Sequence, residues 1–316
     1  MVIDRITPIS LDKDKAVAYA RLAASEYAGK KVKKCKYLGG GSFGRAVSVT
    51  YDGGQTIVVK LLCNADMLEK ETHDLSLLAS HCSISMPKVL FVRKADDSIP
   101  VDCYGMEKID GRCALFSLRL LLGSRRKRAE FADKVTNSLH SLHMFKSDKF
   151  GDTLSPDCNS WIDCYKPFAE AVLSKAEEMH SIGEMPDRVM DVMRAAWAKF
   201  DTIFSEDVEE ACLIHGDLNL ANIMVDKGRL AGFIDPLNSM YADREYDLFQ
   251  FDNFFKKKFN LRQTYMQKFG ASKNCDYKCA FYGLWNEVYC YIKSGVLVGI
   301  IMNPLIDNMY ARLAEL

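Results

Sequence analysis

The chain has no long hydrophobic run and no surplus of charge. Its richest apolar window, Val296 to Met302, falls far short of the ~20 residues that a membrane-spanning helix needs, so no membrane partner is expected. Lys plus Arg and Asp plus Glu both number 42, which makes the formal net charge zero. Without an excess of either sign, no global field draws nucleic acid or an anionic bilayer to the protein. The one basic run, Arg125-Arg126-Lys127-Arg128, opens an amphipathic stretch and reads as a solvated helix face. Internal repeats and low-complexity linkers are absent. Met1 to Arg5 lack the apolar centre of a secretory signal. The eleven cysteines are odd in number and irregular in spacing, and Cys275 and Cys279 have no second pair or nearby His to complete a zinc site. They read as free thiols in a reducing cytoplasm. Nothing in the sequence signals an oligomeric state.

What is present is 48% apolar composition, enough for a sizeable core, in 316 residues that suggest two lobes. Residues 12–28 carry Ala16, Tyr19, Ala20, Ala23 and Tyr27 at helical spacing, with Gly29 as the stop. Short β-rich runs follow at Lys36–Leu38, Ala46–Thr50 and Thr56–Leu61, the last two joined through Asp52-Gly53-Gly54, a hairpin signal. A helix is expected from about residue 65 to 81, then strands at Lys88–Val92 and Val101–Glu107. The order β-β-β-α-β-β makes an antiparallel sheet carrying one helix. Beyond Gly111 the spacing predicts helices at 114–122, 126–145, 160–181, 186–204, 243–269 and 276–315. They are interrupted once, at 211–235, by short strands rich in polar residues. The expected class is α+β. Residues 1–109 form a small sheet-rich lobe and 110–316 a larger helical one, with a ligand cleft where they meet.

Gly39-Gly40-Gly41-Ser42-Phe43-Gly44 fits G-x-G-x-x-G. In a dinucleotide fold that loop runs from strand into helix. Here Arg45 to Thr50 follow as a strand, so the loop is a flap between two strands, the arrangement with which protein-kinase-like folds cover ATP phosphates. Glycines allow backbone N–H groups to come close to phosphate oxygens. Lys60 ends the third strand, 16 residues past Gly44. That reach returns its ammonium beneath the flap, where it can pair with α- and β-phosphates. Its expected acidic partner on the following helix is Glu71, because Leu75 and Leu78 put that residue on the buried stripe; Glu69 is the fallback.

The most informative segment is His215-Gly216-Asp217-Leu218-Asn219-Leu220-Ala221-Asn222, of the form H-G-D-x-x-x-x-N. Phe233-Ile234-Asp235-Pro236 follows, with Asp235 thirteen residues past Asn222. Phosphoryl transfer needs positioning and charge neutralisation more than covalent help. One carboxylate must orient the acceptor hydroxyl and take its proton, which is the role read for Asp217. A metal ion bridging phosphates prefers hard oxygen ligands, which Asn222 and Asp235 supply. His215 reads as a buried structural hydrogen bonder.

These residues resemble the aminoglycoside phosphotransferase and choline kinase branch of the two-lobed protein-kinase-like fold, from about Tyr37 to Tyr310. His-Gly-Asp stands where protein kinases have His-Arg-Asp, Ile234-Asp235-Pro236 stands for Asp-Phe-Gly, and no Ala-Pro-Glu follows. Within the branch, four stretches resemble fructosamine (ketosamine) kinases: Ser85 to Val89; Phe150-Gly151-Asp152 with Asn159-Ser160-Trp161; Asp235-Pro236 leading into Tyr241 to Leu248; and Tyr282 to Asn286. Two features depart from that family: Leu218-Asn219-Leu220-Ala221 after Asp217, where Trp-Ser-Gly is usual before Asn, and the Ser42-Phe43-Gly44 ending of the flap. The resemblance implies that Met106 to Ile109 is the hinge, with backbone groups of Glu107 and Ile109 holding adenine, and that Asp247, with Asp243 as the fallback, braces the catalytic loop.

The function expected is ATP- and Mg²⁺-dependent transfer of the γ-phosphoryl group to a hydroxyl of a small molecule, a ketosamine or related sugar. One alternative is an aminoglycoside kinase, whose polycationic substrate calls for an acidic pocket. Another is a non-catalytic nucleotide-binding module, which the intact Lys60, Asp217, Asn222 and Asp235 oppose.

Overall fold

Asp12 accepts a hydrogen bond from the Lys15 N–H at 2.8 Å and so starts α1 (Lys13–Ala28), which Gly29 ends in the left-handed region at φ 58°. The computed structural model describes residues 3–41, 43–253 and 255–316. After α1 come β1 (Val32–Gly40), β2 (Gly44–Tyr51) and β3 (Thr56–Leu62), then α2 (Leu68–His81), β4 (Val89–Arg93) and β5 (Cys103–Glu107). The strands pair antiparallel in the order β1-β2-β3-β5-β4. Alternation along β2 and β3 sends Val47, Val49, Ile57, Val59 and Leu61 into a core shared with the small residues Ala16, Ala20, Ala23 and Ala24 of α1. Those alanines let the helix lie close on the sheet. By contrast, Leu68, Leu75 and Leu78 of α2 belong to the core of the helical lobe, so α2 is packed between the lobes.

The second lobe begins with β6 (Arg112–Cys113), a 3₁₀ turn at Ala114–Phe116, α3 (Leu118–Leu121) and α4 (Arg125–His143). Short strands β7 (Lys146–Ser147) and β8 (Gly151–Asp152) precede α5 (Trp161–Ser181), α6 (Asp187–Trp197) and α7 (Phe200–Ile203). Then come β9 (Ala211–Leu213), β10 (Ile223–Asp226), β11 (Arg229–Phe233) and β12 (Met240–Ala242). A 3₁₀ stretch, Arg244–Asp252, leads to α8 (Lys256–Phe259), α9 (Leu261–Phe269), α10 (Cys275–Ser294) and α11 (Gly299–Leu313). Two small sheets, β11-β10-β6 and β7-β9-β12-β8, hold the polar segments. No helix among the described residues is long and apolar enough to cross a membrane.

The α+β class and the two lobes stand as expected, with corrections of detail. Extended structure in the helical lobe is not confined to 211–235, because 112–113, 146–147 and 240–242 pair with that segment and 151–152 pair with 240–242. Residues 243–269 are not one helix: Asn260 takes φ 49° between α8 and α9, and the first third is 3₁₀. Residues 276–315 break at Gly295, which takes φ 71° at the end of α10. Helical periodicity continues across each break, so the pattern alone does not reveal it.

Candidate active site

Each site segment leaves a sheet and turns toward the space between the lobes. The flap connects β1 to β2, and the Arg45 guanidinium staples it by donating to the carbonyls of Gly41, Gly44 and Leu11, the last at 3.0 Å. The chain turns so tightly that a Cβ on Gly40 would lie 2.5 Å from the Gly44 carbonyl oxygen. A cleft of about 460 Å³ opens below. Gly39, Gly41, Phe43, Gly44, Lys60, Glu107, Ile109 and Asp235 all line it, with Val58, Met106, Met224 and Ile234 as its apolar walls. Ser42 lies outside the described residues. The Glu107 N–H is committed to the Lys88 carbonyl at 2.9 Å.

Lys60 Nζ lies 2.8 Å from Glu71 Oε2 and 2.8 Å from Asp235 Oδ1. Glu71 is held in turn by the Tyr104 hydroxyl, which donates to Oε2 at 3.0 Å. Glu69 is exposed and makes no ion pair with Lys60. Burial alone would pull the Lys60 ammonium down; the acidic groups around it, Tyr104, Asp235 and Glu71, outweigh that, and the group stays protonated well above its usual range. Desolvation would likewise raise the Asp235 carboxyl, but Lys60 brings it below the ordinary carboxylate value. The Asp235 side chain is 54% exposed and its backbone takes φ 55°, so it presents a charged carboxylate to the cleft.

The loop after β9 holds the other two residues. Asn222 Nδ2 donates to the Asp217 carbonyl at 2.8 Å and to Asp217 Oδ2 at 2.9 Å, while Asn219 Nδ2 donates to Oδ1 at 2.9 Å. Burial pushes the Asp217 carboxyl up to about 7, the Asp235 charge adding to it and the two amides opposing it. The Ile234 N–H donates to the Asn222 carbonyl at 3.0 Å, which ties this loop to the Asp235 segment. With its amide nitrogen on Asp217, Asn222 has its side-chain oxygen left for a cation. That oxygen and the Asp235 carboxylate form a hard donor set that fits Mg²⁺.

Beneath the loop, fully buried Asp247 accepts from the His215 N–H at 2.8 Å, the Gly216 N–H at 2.7 Å and His143 Nε2 at 3.1 Å. Gly216 takes φ 80°, and a Cβ there would lie 2.2 Å from the Leu237 carbonyl. His215 is buried, with Nδ1 3.4 Å from the Asp217 N–H, and desolvation pulls its imidazole down toward the neutral form. Asp243 serves a different network: it accepts from Lys278 at 2.8 Å and the Tyr282 hydroxyl at 2.9 Å.

One cluster has no counterpart in the sequence reading. Lys70, beside Glu71 on α2, donates to both Asp74 oxygens (2.7 and 2.6 Å), to Thr153 Oγ1 (2.9 Å) and to the Ser239 carbonyl (2.7 Å). The Ser239 hydroxyl donates to the His215 carbonyl at 2.9 Å. The helix carrying Glu71 is thereby pinned to the loop carrying Asp217. Arg45, Tyr104 and Asn219 likewise occupy none of the specified motif positions. Arg45 directly follows the flap and Asn219 is two residues past Asp217, where an Asx turn is common, so both carried a local signal. Lys70 and Tyr104 act only through tertiary contacts.

The sequence model of a phosphotransferase enzyme family matches residues 34–272. No curated protein matches the sequence. Among solved structures, a protein assigned as a fructosamine-3-kinase from Thermobifida fusca YX-ER1 is 20% identical, with a TM-score of 0.67 over 93% of this chain and 98% of that one. A thermostable mutant of aminoglycoside phosphotransferase APH(4)-Ia, in its apo form, is 17% identical, with a TM-score of 0.69 over 93% and 98%. Another mutant of that enzyme, in a ternary complex with AMP-PNP and hygromycin B, is 17% identical, with a TM-score of 0.66 over 93% and 97%. At these identities the likeness is one of fold.

Proposed function

The chain belongs to the phosphotransferase enzyme family, and from that premise we propose that it transfers the γ-phosphoryl group of ATP to a hydroxyl of a small molecule, in the presence of Mg²⁺. The observation that carries this is Lys60 bridging Glu71 and Asp235 beneath the glycine flap, with Asp217 and Asn222 on the loop that Ile234 ties to Asp235. Residues 1–109 supply the nucleotide flap, and 110–316 carry the catalytic loop and the acceptor site. Flap N–H groups and Lys60 bind the phosphates, and the hinge carbonyl of Glu107 and the N–H of Ile109 hold adenine. Asn222 and Asp235 would hold Mg²⁺, which would supply neutralisation of phosphate charge. Asp217 orients the acceptor hydroxyl and takes its proton as the new O–P bond forms and the bond to ADP breaks. Asn219 and Asn222 aim its carboxylate.

The acceptor is proposed to be a sugar hydroxyl, a ketosamine first. The balanced charge of 42 against 42 weighs against a polycationic aminoglycoside. The eleven free cysteines support action in a reducing, cytoplasmic compartment. A phosphoryl-transfer screen across ketosamines, free sugars, amino alcohols and aminoglycosides, with Asp217→Asn as the control, tests the reading. A positive acceptor is expected to lose turnover by orders of magnitude in the variant. ATP binding with no transfer to any acceptor would favour a binding module.

A further inference from the structure

Among the described residues the chain crosses between the lobes twice. One crossing runs from β5 to β6, and Glu107 at its start pairs with Ile57 at the beginning of β3. The other is residues 3–11, ahead of α1. Its first part lies on the helical lobe. Ile3 is buried in that lobe's core, Asp4 Oδ1 is 3.6 Å from Lys175, and Arg5 pairs with Glu184 at 3.0 Å. The Ile6 N–H then donates to the Lys293 carbonyl, in the last turn of α10, at 2.9 Å. Its last part lies on the sheet lobe. The Ile9 N–H donates to the Cys63 carbonyl at 2.7 Å, and Leu11 is buried in the same core as Val47, Val49 and Leu61.

Only Thr7 and Pro8 separate the two backbone contacts. Three peptide steps reach at most about 11 Å, and the Pro8 ring fixes one of the torsions. While both bonds hold, the Lys293 and Cys63 carbonyls cannot move far apart. Cys63 is six residues beyond Ile57, roughly 20 Å along an extended strand. The two crossings therefore tie the lobes at opposite ends of β3, and a cleft tied at both ends cannot open by bending at one.

The glycine flap is fastened at the same end as the second crossing. The Cys63 N–H donates to the Phe43 carbonyl at 2.9 Å. Arg45 donates to the Leu11 carbonyl at 3.0 Å while it holds the Gly41 and Gly44 carbonyls. Two lines thus run from residues 3–11 to the flap, one through Cys63 and one through Arg45. Ile6, Ile9 and Cys63 line no part of the cleft, so a nucleotide can enter without displacing them.

We propose that residues 3–11 are a strap that positions the flap over the nucleotide by tying it to the helical lobe on the side away from the β5–β6 crossing. The ligand named here rests on the phosphotransfer reading above; the tie between strap and flap does not.

Hydrogen exchange of the nucleotide-free protein reads the flap directly over 37–45, with 131–142 of α4 as internal reference. Ile9→Pro removes the N–H that the Cys63 carbonyl accepts, at a side chain that is 41% exposed. Ile9→Ala keeps that N–H. Two glycines inserted between Thr7 and Pro8 leave both ends of the strap seated and lengthen the link between them. Ile9→Pro and the insertion are each expected to speed flap exchange at least tenfold with α4 unchanged, and to weaken AMP-PNP binding in Mg²⁺ at least threefold by calorimetry. Ile9→Ala should match wild type in both readouts. Unchanged flap exchange in either variant, an equal rise in α4, or unchanged AMP-PNP affinity would overturn the proposal. So would a lower melting temperature with exchange and affinity intact, which would make the strap purely structural. A wild-type protein that binds no AMP-PNP, while its variants show the flap change, would leave the strap standing and remove the nucleotide reading instead.

Discussion

Asp235 Oδ1 lies 2.8 Å from the Lys60 ammonium, across 175 positions of sequence. Lys60 comes from a sheet in one lobe and Asp235 from a hairpin in the other, so their pairing spans the cleft. The same ammonium holds Glu71, which leaves Lys60 between a buried carboxylate and an exposed one. A phosphate entering beneath the flap would compete for Lys60 and free the Asp235 carboxylate for a cation. Nucleotide and metal are therefore expected to bind together.

Asp235→Asn tests that coupling. The amide keeps the shape and one oxygen but loses the charge that a divalent cation needs. ATP affinity in Mg²⁺ is expected to fall at least tenfold, while affinity in EDTA stays near the wild-type EDTA value. Calorimetry in the two buffers reads the difference directly. Undiminished Mg²⁺-dependent affinity would move the metal to other ligands.

Asp217 gives a pH signature that needs no substrate. Its carboxyl is raised to about 7 in the folded protein, first by desolvation and then by Asp235. Between the ordinary value near 4 and the folded value, the folded state holds a proton that the unfolded state has released. Stability from this group is full at acid pH and is lost as pH climbs through about 7. Asp217→Asn removes the titration. Without nucleotide or Mg²⁺, it is expected to raise the melting temperature relative to wild type by about 2 °C or more at pH 8, and by less at pH 5. A uniform shift at both pH values would mean the carboxyl is not perturbed.

The clasp made by Lys70 is expected to set the alignment of α2. Lys70→Met removes four hydrogen bonds and leaves Asp74 buried with only the Thr153 hydroxyl. Glu71 is the next residue, so the loss should reach Lys60. We expect kcat to fall about tenfold, in line with the loss of roughly 1.4 kcal/mol of transition-state alignment, with KM for ATP changing less. Lys70→Arg, which keeps the charge and several donors, should restore part of kcat. Equal effects of the two substitutions on melting temperature alone, with kcat intact, would make the clasp purely structural.

Much of the candidate site is legible in local sequence pattern. The flap, Lys60, Glu71, Asp217, Asn222 and Asp235 were readable because each sits in a local pattern whose order and spacing are tied to one chemistry. Helix periodicity favours Glu71 over Glu69, and Glu71 Oε2 lies 2.8 Å from Lys60 Nζ. Asp247, which the family resemblance implies as the brace, and Asp243 show what local pattern alone leaves open. Both lie in one acidic segment with similar neighbours, and only tertiary contacts put the first under His215 and Gly216 and the second against Lys278 and Tyr282. The helix breaks at Asn260 and Gly295 were hidden for a related reason, since the apolar period carries on across them. Lys70 was invisible because its partners Thr153 and Ser239 are 83 and 169 positions away.

The contrast between those two aspartates yields a last prediction. Asp247 is fully buried and accepts from two backbone N–H groups of the catalytic loop as well as from His143. In Asp247→Asn one end of the side chain becomes a donor facing donors, which costs about 2–4 kcal/mol. Because those N–H groups belong to His215 and Gly216, the loop that carries Asp217 must shift, and kcat should fall by more than tenfold. Asp243→Asn also disturbs a buried cation, Lys278, though Glu245 remains 2.7 Å away to hold it. Its network anchors α10 and, among the described residues, makes no hydrogen bond to the loop, so the substitution should lower the melting temperature while sparing kcat in the folded fraction. Paired thermal melts and steady-state rates on the two variants separate a brace of the reacting loop from a brace of the fold. Similar loss of kcat in both would mean that Asp247 acts only through general stability.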